Sequence, residues 1–241
     1  MAAEDKAVRL TTMRKIIAER MTRSLQETAQ YTLTREIDTD VLETFIGRQK
    51  ADGRSLRMMH VLVMVCAALL DKTPLLNARI IDNKLVYFGT KNIGVAVAVK
   101  DGLMVPVIRD VLSKSVDDII AEYGVLVEEA RSTRIDLKKL EGGTFTISNL
   151  GMAGVDGFTP IINYPEAAIL GIGRIRPVPE FREDGSIGMK HAAVFSLTLD
   201  HKLVDGYTGA MFLQDLSETL NDQAALQSII DPETADPEQR Q

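Results

Sequence analysis

The chain contains the run Phe195-Ser-Leu-Thr-Leu-Asp-His-Lys-Leu-Val-Asp-Gly206, which predicts a strand that ends just before a histidine. Side chains from position 194 to position 199 alternate between two faces, with Val194, Ser196 and Thr198 on one and Phe195, Leu197 and Leu199 on the other. This is the period of a strand that is buried on at least one side. Asp205-Gly206 is a dipeptide typical of turns, so the loop after His201 should have a defined shape. The imidazole is therefore expected to be held in place.

A second run, Gly142-Gly-Thr-Phe-Thr-Ile-Ser-Asn-Leu-Gly-Met152, predicts a short strand that ends at Asn149 and Gly151. A lone histidine after a strand is more often solvated or hydrogen-bonded than catalytic, and Asn149 can be a simple strand-end residue. However, His-x-x-x-Asp-Gly after an apolar strand resembles the active-site signature of the chloramphenicol acetyltransferase and dihydrolipoamide acyltransferase superfamily. The second run resembles, almost letter for letter, the segment that carries an oxyanion-stabilising hydroxyl in dihydrolipoamide acyltransferases.

The resemblance covers roughly Arg9 to Ile230. It implies an α/β fold, a chloramphenicol acetyltransferase-like two-layer sandwich in which a mixed β-sheet is covered by helices. It also implies a homotrimer whose active centres lie between subunits, with the histidine from one chain and the serine from its neighbour. The implied partners are lipoyl domains and the other components of a 2-oxo acid dehydrogenase complex, in which trimers can assemble into a larger cubic or icosahedral core.

The reaction implied by the resemblance is transfer of an acyl group, acetyl or branched-chain, between S-acyl dihydrolipoamide and coenzyme A. Coenzyme A and the lipoyl group of a separate lipoyl domain are then substrates. Such a transfer needs a base that makes a thiolate and a donor for the oxyanion. A free thiol has a pKa of about 8.5 and imidazole one of about 6.5, so His201 is the candidate base. Ser148 falls on the family's hydroxyl position and is the candidate donor. Asp205 is the third site residue, expected to hold the loop through backbone amides or through a cation such as Arg14 or Arg20.

Three alternative functions have less support from the sequence. Ser148 could be the nucleophile of a triad with His201 and Asp205, but it lacks the Gly-x-Ser-x-Gly elbow of the hydrolases. The chain could be a free-standing acetyltransferase that acts on a small hydroxyl acceptor, which the run from Gly142 to Met152 argues against. It could also be a non-catalytic scaffold subunit of the complex, but such a subunit would have no use for His201 and Ser148.

Two segments depart from the pattern of many relatives. Ala29-Gln30 stands where many carry Pro-His, and Tyr164-Pro165 stands where they often have Pro-Pro. The first departure precedes the predicted strand from Tyr31 to Ile37 and concerns the entrance to the substrate site.

Composition excludes several other classes of function. With 241 residues and 45% apolar side chains, the chain suits one sizeable domain, and a net charge of -6 gives no electrostatic basis for binding nucleic acid. The most apolar run, 58–70, is shorter than the roughly 20 residues that span a bilayer, so no membrane association is expected.

His60, His191 and His201 are scattered without cysteine partners, and no metal site is predicted. A single cysteine, Cys66, fits a reducing compartment, which is the cytoplasm, or the mitochondrial matrix in a eukaryote.

The chain divides into a flexible segment 1–8, a catalytic domain 9–230 and a disordered polar tail 231–241. Within the domain, the residues from Asn92 to Val99 predict a single strand, and 56–72 predict a helix that is buried on all sides. The closing helix is expected from Gly209 to Asn221. Beyond it, the apolar residues Leu226, Ile229 and Ile230 could dock into a neighbouring trimer.

Overall fold

The computed structural model of the chain describes residues 5–100, 102–132, 134–182 and 184–232. The helices in this part are α1 Thr12–Glu27, α2 Asp40–Ala51, α3 Met58–Lys72, α4 Val116–Arg131, α5 Gly206–Leu220 and α6 Gln223–Ile230. The strands are β1 Gln30–Asp38, β2 Ala78–Ile81, β3 Lys84–Tyr87, β4 Ile93–Val95, β5 Val97–Val99, β6 Gly102–Met104, β7 Val107–Ile108, β8 Phe145–Asn149, β9 Ala168–Ile172, β10 Arg176–Phe181 and β11 Ile187–Asp200.

Seven strands form one mixed sheet in the order β1-β11-β9-β8-β4-β7, with β10 beside β11. β8 is parallel to β4 and to β9, whereas β11 is antiparallel to β1, β9 and β10. β2 with β3 and β5 with β6 form two separate hairpins. The prediction of an α/β fold with a mixed sheet and helices is confirmed.

The two faces of the sheet differ in chemistry because side chains alternate along each strand. One face packs into the hydrophobic core beside α3 and α5, and it carries the buried side chains of Phe145, Ile147, Leu170, Phe195 and Leu197. The opposite face is polar and carries Thr146, Ser148, Ser196 and Thr198. This is the division of β11 into two faces that the sequence predicted, and it places Ser148 on the side away from the core.

Helix α3 is buried as predicted, since every side chain from His60 to Ala67 lies inside the core. Its composition explains this burial, because a helix that is apolar on all sides is stable only when other elements shield every side from water. Cys66 is fully buried there, and burial raises the pKa of its thiol. None of the helices in the described residues is long and apolar enough to cross a membrane.

The prediction of one strand from Asn92 to Val99 is wrong, because the chain forms β4 and β5 with a break at Ala96. The returning segment continues in the same antiparallel register, with Gly94 opposite Val107 and Val97 opposite Met104. Pro106 lies in that segment at the break, and proline has no N–H to continue a ladder. β4 and β7 therefore join the large sheet, whereas β5 and β6 leave it as a separate hairpin, in which β5 packs against α4.

The expectation that the apolar residues near the C-terminus dock into a neighbouring trimer is also wrong for two of them. Leu226 and Ile230 are 0% and 1% exposed, because α6 packs against α2, α3 and α5 of its own chain. Asp222 caps α6, and the carboxylate of Asp231, beyond its end, lies 2.7 Å from Arg54 Nη1. Asp231 is thus held to the domain rather than disordered, and the rest of the predicted tail, from position 233, lies outside the described residues, as do positions 1–4 of the predicted flexible segment.

Two glycines give opposite predictions for stability. A Cβ on Gly173 would lie 2.0 Å from the backbone oxygen of Asp156, whereas a Cβ on Gly47, inside α2, would meet nothing within 4 Å. We expect Gly47→Ala to stabilise the protein by about 0.5–1 kcal/mol, because alanine loses less backbone entropy in a helix. We expect Gly173→Ala to destabilise it by at least about 1–3 kcal/mol, because β9 and the 156 segment must move apart. Urea denaturation at one fixed protein concentration measures both, and equal midpoints for the two variants would contradict this packing.

Candidate active site

His201 is held by its backbone and by one face of its ring. β11 ends at Asp200, and the His201 N–H donates a hydrogen bond to the Ala29 carbonyl oxygen at 2.9 Å. The imidazole lies against the ring of Tyr31 with centroids 4.7 Å apart. The Tyr31 hydroxyl in turn donates to the carbonyl oxygen of Val204 at 3.3 Å, which ties the turn back to β1.

Asp200 anchors this turn, a role that the sequence analysis did not assign to it. Its side chain is buried, and its Oδ1 accepts hydrogen bonds from the backbone N–H groups of Ala29 at 3.0 Å and of Lys202 at 3.1 Å. The Nζ of Lys202 lies 3.8 Å from the other carboxylate oxygen. A buried carboxylate must be hydrogen-bonded or paired. The signal in the sequence was a charged residue at the end of an otherwise apolar strand.

The three histidines occupy different environments. His60 is buried and accepts from the Arg57 N–H at 3.2 Å; burial, and then the charge of Arg57, lower its pKa to about 4. His191 pairs with Asp40 at 2.9 Å, and this bond raises its pKa. Only the imidazole of His201 is exposed and without a hydrogen bond in the part of the chain that the structure describes. His201 is therefore the histidine that is free to exchange a proton with a ligand.

The carboxylates of Asp40 and Glu43 and the imidazole of His191 place ligand atoms within 4.8 Å of one another. Asp40 accepts from both the backbone N–H and the ring of His191, so its carboxylate already joins the start of α2 to β11. This cluster lies at the surface. Its contacts are those of a surface ion pair that links α2 to β11.

Asp205 begins a helix rather than closing a turn. It is the N-cap of α5, and its Oδ1 accepts from the Thr208 N–H at 2.8 Å. The prediction that Asp205-Gly206 forms a turn is therefore wrong, and the closing helix begins at Gly206 instead of Gly209. The hydrogen bond from Thr208 holds the pKa of Asp205 below its usual value. The amide that it binds belongs to α5, and the expectation that Asp205 holds the loop stays a prediction.

The alternative expectation, that Asp205 pairs with Arg14 or Arg20, is wrong within one chain. Among the described residues, the ion pairs do not include Asp205. The N-cap explains why, since the carboxylate oxygen already accepts from the first turn of α5.

Ser148 lies on β8, on the polar face of the sheet, and its side chain is half-buried. Across the described residues, its hydroxyl has no hydrogen-bond partner, whereas the neighbouring Asn149 is used to shape the end of the strand. Asn149 Oδ1 accepts from the Gly151 N–H at 2.8 Å. The ring of Phe158 packs against β9 beside Ser148, since a Cβ on Gly171 would lie 2.9 Å from Phe158 Cζ.

Ser148 and His201 are far apart in one chain. Ser148 pairs with Gly171 of β9, and Gly171 pairs with Ser196 of β11, five residues before His201. With strands about 4.8 Å apart and a rise of about 3.3 Å per residue, the two residues lie roughly 19 Å from each other. Two side chains that must act on one substrate within hydrogen-bond distance cannot do so across this gap. A site that uses both requires a second copy of the chain.

A mixed sheet with helices packed on one face fits the chloramphenicol acetyltransferase-like class of α/β folds. A structure of chloramphenicol acetyltransferase matches this chain with a TM-score of 0.51 and 15% identity, a likeness in fold alone. Residues 2–227 match the family of 2-oxoacid dehydrogenases acyltransferase (catalytic domain). The chain belongs to this family.

Individual relatives agree with the family match. A dihydrolipoyllysine-residue acetyltransferase, the component of the acetoin cleaving system of Bacillus subtilis (strain 168), is 35% identical over 93% of this chain and 58% of its own length. The dihydrolipoyllysine-residue succinyltransferase component of the 2-oxoglutarate dehydrogenase complex of Cupriavidus necator is 36% identical over 92% of this chain and 54% of its own length. The chain thus spans little more than half the length of these relatives.

Among solved structures, one of Azotobacter vinelandii dihydrolipoamide acetyltransferase matches with a TM-score of 0.88 and 34% identity, over 92% of this chain and 94% of that one. It comes from a study of the roles of a serine, a histidine and an asparagine in the catalytic mechanism of that enzyme.

The N-cap of α5 leads to a prediction about Asp205. We expect Asp205→Ala to lower the urea midpoint, because the Thr208 N–H loses its acceptor, and Asp205→Asn to lower it less, because an amide oxygen can replace the carboxylate oxygen. Since the pKa of Asp205 is lowered in the folded protein, its charge stabilises the fold at neutral pH, and this contribution is lost as pH falls through that pKa. The gap between wild type and Asp205→Asn should therefore shrink below about pH 4. Equal midpoints for the alanine and asparagine variants at pH 7 would contradict the capping role.

Proposed function

We propose that this chain transfers an acyl group, acetyl or branched-chain, between S-acyl dihydrolipoamide and coenzyme A. The family match supports acyl transfer, and the relatives named above act on dihydrolipoyllysine residues. Coenzyme A and the lipoyl group of a lipoyl domain are then the two substrates. The lone buried Cys66 and the reaction's free thiols both suit a reducing compartment, and we propose the cytoplasm.

The observation that carries the proposal is that the imidazole of His201 and the hydroxyl of Ser148 have no hydrogen-bond partner among the residues that the structure describes. Their spacing along the chain also agrees with the Azotobacter enzyme. In that enzyme the serine precedes the histidine by 52 positions and the asparagine follows the histidine by four. Here Ser148 precedes His201 by 53 positions and Asp205 follows it by four. We therefore assign the base to His201, the oxyanion donor to Ser148 and the support of the loop to Asp205.

The reaction begins when the neutral imidazole of His201 takes the proton of the coenzyme A thiol. The resulting thiolate attacks the thioester carbonyl carbon of S-acyl dihydrolipoamide, and the carbonyl oxygen becomes an oxyanion. Ser148 donates a hydrogen bond to that oxygen, where charge develops in the transition state. The tetrahedral intermediate then expels the dihydrolipoamide sulfur, which receives the proton from the imidazolium. No atom of the protein becomes covalently bound to the acyl group.

The separation of Ser148 and His201 in one chain supports a site that joins two subunits, and the homotrimer implied by the resemblance is the assembly that we propose. In a closed ring, each chain gives its histidine to one neighbour and its serine to the other. Assembly of such trimers into a cubic or icosahedral core, together with lipoyl domains and other components of a 2-oxo acid dehydrogenase complex, belongs to the same proposal. The relatives support it, since they are named as components of larger systems.

Single substitutions test the two assigned roles. We expect His201→Ala to lower kcat by about 10²–10⁴-fold, because the thiol loses its base. We expect Ser148→Ala to lower it by about 10²–10³-fold, because the oxyanion loses a donor. The exposed His191→Ala is the matched control and should keep the wild-type rate. The assay follows acyl transfer between acetyl-coenzyme A and dihydrolipoamide, and a His201→Ala rate within a few-fold of wild type would overturn the base assignment.

A mixed oligomer tests where the site lies. Co-expressed His201→Ala and Ser148→Ala chains each lack one group, yet some interfaces combine an intact histidine with an intact serine. Random mixing in equal amounts gives about a quarter of the wild-type activity if the site joins two chains. Each variant expressed alone is the control. A mixture no more active than the separate variants, with hetero-oligomers verified by differently tagged chains, would mean that the site does not join two chains in this way.

A further inference from the structure

A buried carboxyl group that the mechanism does not use lies close to β8. Glu166 is 5% exposed, and both of its carboxylate oxygens are hydrogen-bonded. The Thr146 hydroxyl donates to Oε2 at 2.6 Å, and the Asn163 side-chain amide donates to Oε1 at 2.7 Å. Gly143 allows this approach, since a Cβ there would lie 2.8 Å from Oε1. The Gly142-Gly143 pair in the sequence is thus explained in part by the room that Glu166 needs.

The hydrogen bond to Thr146 reaches the strand of the proposed oxyanion donor. Thr146 is fully buried on β8, two residues before Ser148, so the two side chains lie on the same face of the sheet. A Cβ on Gly94 of the adjacent β4 would lie 2.9 Å from the Thr146 hydroxyl, so the hydroxyl is closely surrounded. The bond to Glu166 therefore joins the polar face of β8 to the segment that carries Glu166.

The segment that carries Glu166 is itself held to other parts of the chain. The Ile162 carbonyl oxygen accepts from the Ser24 hydroxyl of α1 at 2.6 Å, and the Ile162 N–H donates to Gln30 Oε1 at 3.1 Å. At the other end, the Ala167 carbonyl oxygen accepts from the Asp200 N–H at 3.0 Å. Glu166 therefore acts from a segment whose place is set by α1, β1 and the end of β11.

We propose that Glu166 is a positioning residue for the oxyanion donor Ser148, which it holds in place through the Thr146 hydroxyl. This inference rests on the function proposed above, since it gives Ser148 a role in the reaction. Glu166 does not contact the reacting atoms. It holds β8 on the polar face of the sheet, whereas the hydrophobic core packs against the opposite face.

The charge state of Glu166 guides the choice of variants. Burial raises the pKa of its carboxyl to about 7, while the bonds from Thr146 and Asn163 and the charges of Arg79 and Arg20 act in the opposite direction. In the neutral acid, the carboxyl O–H can donate to the Thr146 oxygen while the other oxygen still accepts from Asn163. A glutamine can reproduce the same pattern through its amide N–H and its carbonyl oxygen. Leucine has a similar size and can form neither bond.

Kinetics of four single variants test the role. We expect Glu166→Leu and Thr146→Val each to lower kcat by about 10-fold with KM for coenzyme A nearly unchanged, because a displaced donor weakens only the transition state. Glu166→Gln should retain kcat within about two-fold of wild type. Glu122→Leu makes the same exchange at a glutamate on α4, which pairs with Lys114 outside the site, and should leave kcat unchanged. If Glu166→Leu does not fold, the nearly isosteric Thr146→Val carries the test.

The same substitutions in a Ser148→Ala background separate positioning from general damage. With the donor already absent, Glu166→Leu or Thr146→Val should lower kcat by less than about two-fold further, since coupled residues are not additive. A full 10-fold loss in that background, or a wild-type kcat for both single variants, would overturn the inference while leaving the proposed function intact. If Ser148→Ala itself kept the wild-type kcat, the oxyanion role in the proposed function would fail, and the inference would fail with it.

Discussion

The hydrogen-bonded ladder through β8, β9 and β11 is the constraint on which the rest of the site depends. It sets Ser148 level with Gly171 and with Ser196, and it leaves His201 beyond the end of β11. Such a ladder cannot be stretched or slipped by one residue without turning every side chain to the opposite face. The separation of roughly 19 Å between the two residues therefore follows from the ladder. Because the proposed reaction uses both side chains, it requires a second copy of the chain.

The two faces of the same sheet have different roles, one in stability and the other in the proposed site. Its apolar face packs with α3, α5 and α6 into the core, where burial of apolar surface is the main source of stability. Its polar face holds hydroxyl groups, some of which have partners, such as Thr32 with Thr198 at 2.8 Å. The Ser148 hydroxyl lacks such a partner in the described residues, in a region where buried polar groups are normally paired. In the proposed reaction, this unpaired donor is suited to a charge that appears only in the transition state.

In the His201 turn, a buried carboxylate holds the backbone in place through hydrogen bonds. Asp200 is buried and uses one oxygen to hold two backbone amides, one from its own turn and one from the chain before β1. Tyr31 adds a ring contact, and Asp205 starts α5 immediately afterwards. The imidazole thus stands on a turn fixed by β1, β11 and α5, yet its nitrogens have no hydrogen-bond partner in the described part of the chain.

Alternation and motif identity were enough to predict β11 with its two faces, the buried α3, the family, and the candidates His201, Ser148 and Asp205. These features are local, because side-chain periodicity and capping chemistry are set by residues a few positions apart. The sequence did not reveal the break at Ala96, the use of Asp205 as an N-cap, or the burial of Leu226 and Ile230 in their own chain. Nor did it indicate that Asp200 and Tyr31 hold the His201 turn, or that Glu166 is bonded to β8 through Thr146. Each of these depends on which distant segments pack together, and only the folded chain decides that, since hydrogen bonds between residues more than 100 positions apart carry no local signal.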